Sequence, residues 1–357
     1  EMQRSLVGSE MCIRDRGNKD GFSLANLISI IGLVVLGFFL YLGMAYGGTN
    51  NGTAVLLAVG VTLFFGLMLY FMLYAKQVET NFTPWRIVEY ILLAVFVVAA
   101  CVSIPTMCHF INVNSKSAEL MKVGNNELDA MEKAINDFKN KEKSNLSNLK
   151  VQLQTIASQP NYISATSDDL KDFIKKEIMA GKDGRPTQGH INSFNEKWEG
   201  YIENLHNYND GKNYAKTFKD NIKMNRDRIQ SWQILEIPKA IEELDKLKGD
   251  MNKVLDEISS SYPLHQIGRE YSGRFDIKEK HESVHVSSGM NEQLKPGVNS
   301  NFKAECANLT GMNGSGIFLS IIIFLLVIFS YISAYRSNKV SIKGGVSRND
   351  QGRILKV

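Results

Sequence analysis

The sequence predicts an all-α membrane protein: four transmembrane helices, with an elongated extracytoplasmic helical bundle inserted between the third and the fourth. Three observations carry this expectation. Four apolar runs are each long enough to cross a bilayer. The roughly 200 residues between the last two repeat apolar side chains at helical spacing, and that is an ordinary length for one domain. The basic excess lies beside the apolar runs, because residues 112–314 hold 29 Lys and Arg against 30 Asp and Glu while the whole chain carries +4. So balanced a domain offers no basic surface for nucleic acid, and none is expected as a partner.

The apolar runs are Leu24–Tyr46, Thr53–Tyr74, Ile87–Phe110 and Ile317–Tyr335. A helix rises about 1.5 Å per residue, so roughly 20 residues cover the hydrocarbon core. A lone run in lipid satisfies its backbone only as a helix. Within the runs the one charged residue is Glu89, a turn inside the third, where it is expected to reach the headgroups beside Arg86. Pro105 is expected to bend or end the third helix. Gly32, Gly37, Gly43, Gly60 and Gly66 offer points of close helix approach without forming a GxxxG motif. With so few ionisable groups in the bilayer, a transporter or channel component is the least favoured reading.

Orientation follows from basic residues in short loops. The link 47–51 carries no charge, whereas the next one carries Lys76 and Arg86 against Glu79. The tail 336–357 carries Arg336, Lys339, Lys343, Arg348, Arg353 and Lys356 against Asp350. Those two segments are expected on the cytoplasmic side, the tail facing anionic lipid. Both termini are then cytoplasmic, and the domain 111–314 is extracytoplasmic, periplasmic or extracellular. Residues 1–16, with SLVGSEMCIRDR from Ser5 to Arg16, read as translated sequencing-adapter sequence and are set aside as a non-native leader.

Within the domain, Leu128, Met131, Ile135 and Phe138, then Leu146, Leu149, Leu153 and Ile156, mark one long amphipathic helix of up to about 40 residues. The gap between Phe138 and Leu146 breaks a heptad phase, so packing within the domain is favoured over a coiled coil between copies. A second helix is expected from Ser167 to Gly181, ahead of a loop 181–189. A third runs from His190 to Asn207, with Ile191, Phe194, Trp198, Ile202 and Leu205 on one face. A fourth spans Tyr214–Leu235, and a fifth spans Pro238–Ser260 with Ile241, Leu244, Met251, Leu255 and Ile258 inward. Residues 261–314 read as loop, with a strand allowed within 275–286.

Candidate chemistry is sparse. Cys108 and Cys306 flank the domain on the oxidising side and are the pair placed to form a disulfide. His281 and His285 stand four residues apart, but HExxH is absent and they read as surface histidines rather than metal ligands. No phosphate-binding, nucleophile-elbow or CxxC motif occurs, so neither enzyme activity nor a cofactor is expected.

With four spans, a tiny first outer loop and a large second one, the layout is similar to that of tetraspanins. The similarity is one of topology alone, because the Cys-Cys-Gly motif of that family is missing. The residues point to a membrane scaffold or adaptor whose domain contacts a protein or envelope partner, with homo-oligomerisation left open. The alternative is an extracytoplasmic ligand sensor that signals through a separate cytoplasmic protein.

Overall fold

The computed structural model describes residues 23–77, 82–159, 168–262, 302–334, 346–348 and 354–356. These are helical almost throughout. In chain order the helices are α1 (Leu24–Tyr46), α2 (Asn51–Gln77), α3 (Phe82–Ser115), α4 (Ser117–Ser158), α5 (Asp168–Phe173), α6 (Gln188–Asn204), α7 (Ala215–Ser231), α8 (Ile237–Ser261), α9 (Phe302–Asn308), α10 (Gly314–Val327) and α11 (Phe329–Ser333). A π-helical turn, Ile174–Ile178, continues α5. The strands β1 (Val346–Arg348) and β2 (Ile354–Lys356) pair antiparallel, an element not foreseen in the tail. The chain divides into two compact units, an apolar one (1–45, 49–114, 310–357) and an amphipathic one (46–48, 115–309).

In the apolar unit α1, α2 and α3 are each long and apolar enough to cross a membrane. Large side chains such as Val34, Leu56, Val98 and Phe318 point outward and stay exposed, as a lipid-facing surface requires. Inside, Phe65, Phe96 and Phe324 meet ring to ring at 5.2–6.2 Å and join α2, α3 and α10. Helix α1 approaches α10, α2 and α3 at glycines. A Cβ on Gly32 would lie 2.7 Å from the Val327 backbone nitrogen, one on Gly37 2.7 Å from the Thr62 hydroxyl, and one on Gly43 would collide with the Thr106 carbonyl oxygen. Gly60 has nothing within 4 Å, so it makes no such approach. Pro105 does not end α3, which continues to Ser115.

The fourth apolar run departs from the expected single helix Ile317–Tyr335. It begins at Gly314, where the Asn313 side chain accepts the Gly316 N–H at 2.7 Å, and it breaks at Ile328. The break is served from another helix. The Ser29 hydroxyl accepts the Ser330 N–H at 2.9 Å and donates to the Leu326 carbonyl at 3.3 Å. A backbone left open inside apolar surroundings is thereby satisfied.

The amphipathic unit is built on α4, a 42-residue helix that packs against α6, α7 and α9. Its inward row follows the periodicity as far as Leu153: Leu128, Met131, Ile135, Phe138, Leu146, Leu149 and Leu153 are buried, whereas Ile156 is only half-buried. Ile191, Phe194, Trp198 and Ile202 of α6 face this core, as do Ile237, Ile241, Leu244, Met251, Leu255 and Ile258 of α8. Helix α6 starts two residues earlier than expected, because Thr187 and His190 form a reciprocal cap at its N-terminus. It ends at Leu205 and α7 ends at Trp232, both in left-handed backbone, so each is shorter than the periodicity suggests. The expected N-cap Ser167 and the region 275–286 lie outside the described residues.

Candidate functional site

A cleft of about 540 Å³ opens in the amphipathic unit between α4, α6 and α7. Its floor is apolar, with Ile135 from α4 and Ile222 from α7 both buried. Its walls are charged. Lys139 and Lys143, one turn apart on α4, both reach Glu203 of α6, at 3.1 and 2.6 Å. The two ammonium groups, Lys143 foremost, hold the Glu203 carboxyl below its ordinary range. Glu132, two turns before Lys139 on α4, is met by Arg226 of α7 at 3.3 Å, and Arg226 also meets Asp129 at 2.9 Å. Lys216 and Lys219 stand at the rim, exposed, and form no ion pair among the described residues.

The turn before α7 fixes where those two lysines stand. Residues 205–214 fold back on themselves. The Asn207 N–H donates to the Lys212 carbonyl, the Gly211 N–H donates to the Asn207 carbonyl, and Gly211 takes φ +68°. The Tyr214 hydroxyl then donates to the Asp210 carboxylate. That bond pushes the Tyr214 phenol up to about 12 and draws the Asp210 carboxyl down. Helix α7 therefore starts from a braced turn, with Lys216 and Lys219 on its first turns facing the cleft. Two cationic side chains over an apolar floor suit an anionic group carried on an apolar body.

The apolar unit holds a second polar constellation. Glu89 is fully buried, so the expectation that it reaches the headgroups is corrected. Its expected partner is in place, with Arg86 at 2.8 Å, and the Tyr331 hydroxyl donates to it at 2.7 Å. Lys76, also buried, donates to the Tyr331 carbonyl and lies 4.5 Å above the Tyr331 ring. Tyr331 thus ties α2, α3 and α11 together. This mutually satisfied set reads as a fastening rather than an ion path.

The remaining sequence-level candidates are placed as follows. Cys108 and Cys306 are both free thiols in the structure. Cys108 packs against Gly316, whose Cβ would come within 2.8 Å of its sulfur. Cys306 is fully enclosed in the amphipathic unit, and burial pushes its thiol up to about 12. Arg348 sits opposite Ile354 in the tail ribbon, and Lys356 opposite Val346. Arg336, Lys339, Lys343, Arg353, His281 and His285 lie outside the described residues.

Sequence reasoning missed the cleft, since its lysines come from segments more than 60 residues apart, as the Lys139–Glu203 pair illustrates. The spacing of Lys139 and Lys143 on one helical face was the available signal. It also missed the burial of Lys76, which lies just past the second apolar run. Comparison of the chain with family models, curated proteins and solved structures finds no match.

Proposed function

We propose that the chain is an integral membrane scaffold whose amphipathic domain docks a protein partner. One observation carries the reading: a single chain joins a unit with three bilayer-length apolar helices to a unit of long amphipathic helices that bears an open, charged cleft. In this reading α10 and α11 together form a fourth crossing. They run from Gly314 to Ser333, about 20 residues and roughly 30 Å of helix. Lys76 and Arg86, with the basic tail, then mark the cytoplasmic side, and the domain 111–314 lies outside. Lys216 and Lys219, without an ion pair among the described residues, favour an acidic segment of the partner at the cleft.

A photo-crosslinking residue at position 219, in intact cells, tests this. A discrete protein adduct is expected, and Lys216→Glu abolishes it. Adducts to lipid alone, or none, overturn the docking role. Membrane-impermeant labelling of single cysteines placed at Ser193 and Ser347 tests the orientation, with only the first expected to react.

The cleft volume supports a second reading, extracytoplasmic ligand sensing, because about 540 Å³ is also the size of a small-molecule site. A small anionic ligand that raises the domain's Tm, and loses this effect in Lys216→Glu, distinguishes it from the scaffold.

A further inference from the structure

The turn between α7 and α8 carries an apolar tip whose Ile234 and Leu235 are exposed among the described residues. Trp232 ends α7 with φ 45°, a conformation that costs a bulky residue about 1–2 kcal/mol. Gln233, Ile234 and Leu235 follow, and the Gln233 carbonyl accepts the N–H groups of Glu236 and Ile237 at 2.8 and 3.1 Å to close the turn. Ile234 is 41% exposed and Leu235 is 54% exposed. Among the described residues, the other large apolar side chains exposed within the helices of this unit, Val151 and Met224, stand singly. Single exposed residues are ordinary, whereas two adjacent ones at the tip of a turn are not. The tip itself, Trp232–Leu235, is uncharged. Trp232 is half-buried and edges against Phe302, its ring 6.3 Å away.

The tip's neighbours say what covers it. The Tyr46 hydroxyl donates to the Ile234 carbonyl at 3.1 Å. Tyr46 is the last residue of α1, a helix long and apolar enough to cross a membrane, and α2 begins at Asn51. The link between two such helices lies where they leave the hydrocarbon. Tyr46–Gly48 nevertheless pack with the amphipathic unit, and Gly48 sits against Lys303, its would-be Cβ 3.5 Å from Cε. The Ile234 carbonyl is therefore tied to the first residue of that link. We infer that the α7–α8 turn is a membrane-surface anchor, with Ile234 and Leu235 inserted at the boundary between headgroups and acyl chains. An indole and a tyrosine beside an uncharged apolar tip are the side chains that this boundary favours.

The inference rests on α1 crossing the membrane, and the test separates the two. In the full chain without native cysteines, single cysteines replace Ile234, Leu235, Phe38 or Ser193 in turn. Each variant carries an environment-sensitive dye and is reconstituted into phosphatidylcholine vesicles with or without spin-labelled lipid. Phe38, 40% exposed in mid-α1, reports the crossing itself, and Ser193 is the aqueous reference. The expected result is a blue-shifted emission at 234 and 235, quenched by lipid spin labels set near the headgroups. Quenching at 38 with water-like, unquenched emission at 234 and 235 overturns the anchor alone. A blue shift at 234 and 235 that spin-labelled lipid leaves untouched also overturns it, and assigns the tip to a second copy of the chain. Absence of quenching at 38 removes the crossing, and the anchor with it.

Discussion

Glu127 is a carboxylate with 1% of its surface exposed, and its main partner is a backbone group: the Phe302 N–H at the start of α9 donates to it at 2.8 Å. Burial raises its pKa, while that N–H and the charge of Lys248 pull the other way. A raised folded-state value means that the folded chain holds the proton more tightly than the unfolded one. Stability from this group therefore grows as pH falls through the raised value, and it is lost as pH rises through it. The gain is complete below the ordinary value of 4.5. Glu127→Gln keeps the acceptor and removes the charge. It is expected to match or exceed the parent in stability at neutral pH, with a flatter dependence on pH. Glu127→Ala leaves the buried Phe302 N–H without its acceptor and is expected to cost about 1–3 kcal/mol. Urea unfolding of the detergent-solubilised chain, followed by tryptophan fluorescence across pH, checks both. A Gln variant much weaker than the parent at neutral pH would show that the charge itself stabilises the fold.

Among the elements, α1 is held by what its glycines lack. Gly32→Ala places a methyl against the Val327 backbone, which cannot rotate away as a side chain could. Overpacking of this kind costs about 1–3 kcal/mol. Gly60→Ala meets open space and is expected to leave the Tm unchanged or higher. Thermal unfolding of the two variants side by side checks the difference, and equal Tm values would mean that α1 and α10 do not approach as described. Such contacts are only half legible in a sequence. Glycines inside an apolar run announce that some helix comes near, but not which one, since Gly32, Gly37 and Gly43 each meet a different partner. The inward row of α4 was legible from Leu128 to Leu153, because burial on one face writes a period of 3.6 into the residues. The start of α6 was not, because its cap pairs Thr187 with a histidine rather than with Glu or Gln. The cleft was invisible for a third reason: no local spacing records that Lys139 meets Glu203.

At the scale of the whole molecule, two units with different surfaces share one chain. The apolar unit leaves large side chains outward, whereas the long helices of the amphipathic unit turn theirs in. Membranes washed at alkaline pH should retain the protein, and detergent should release it. Its appearance in the alkaline wash would overturn the reading that α1, α2 and α3 cross the bilayer. The order in which the chain is made also matters. The joint between α10 and α11 takes its hydrogen bonds from Ser29, which leaves the ribosome 301 residues before Ser330. The apolar segment of α10 and α11 thus finds its backbone partner already installed. Ser29→Ala deprives that later arrival of its receptor, so the defect surfaces during biogenesis as poor integration of the α10–α11 segment, before it is measurable as a loss of equilibrium stability.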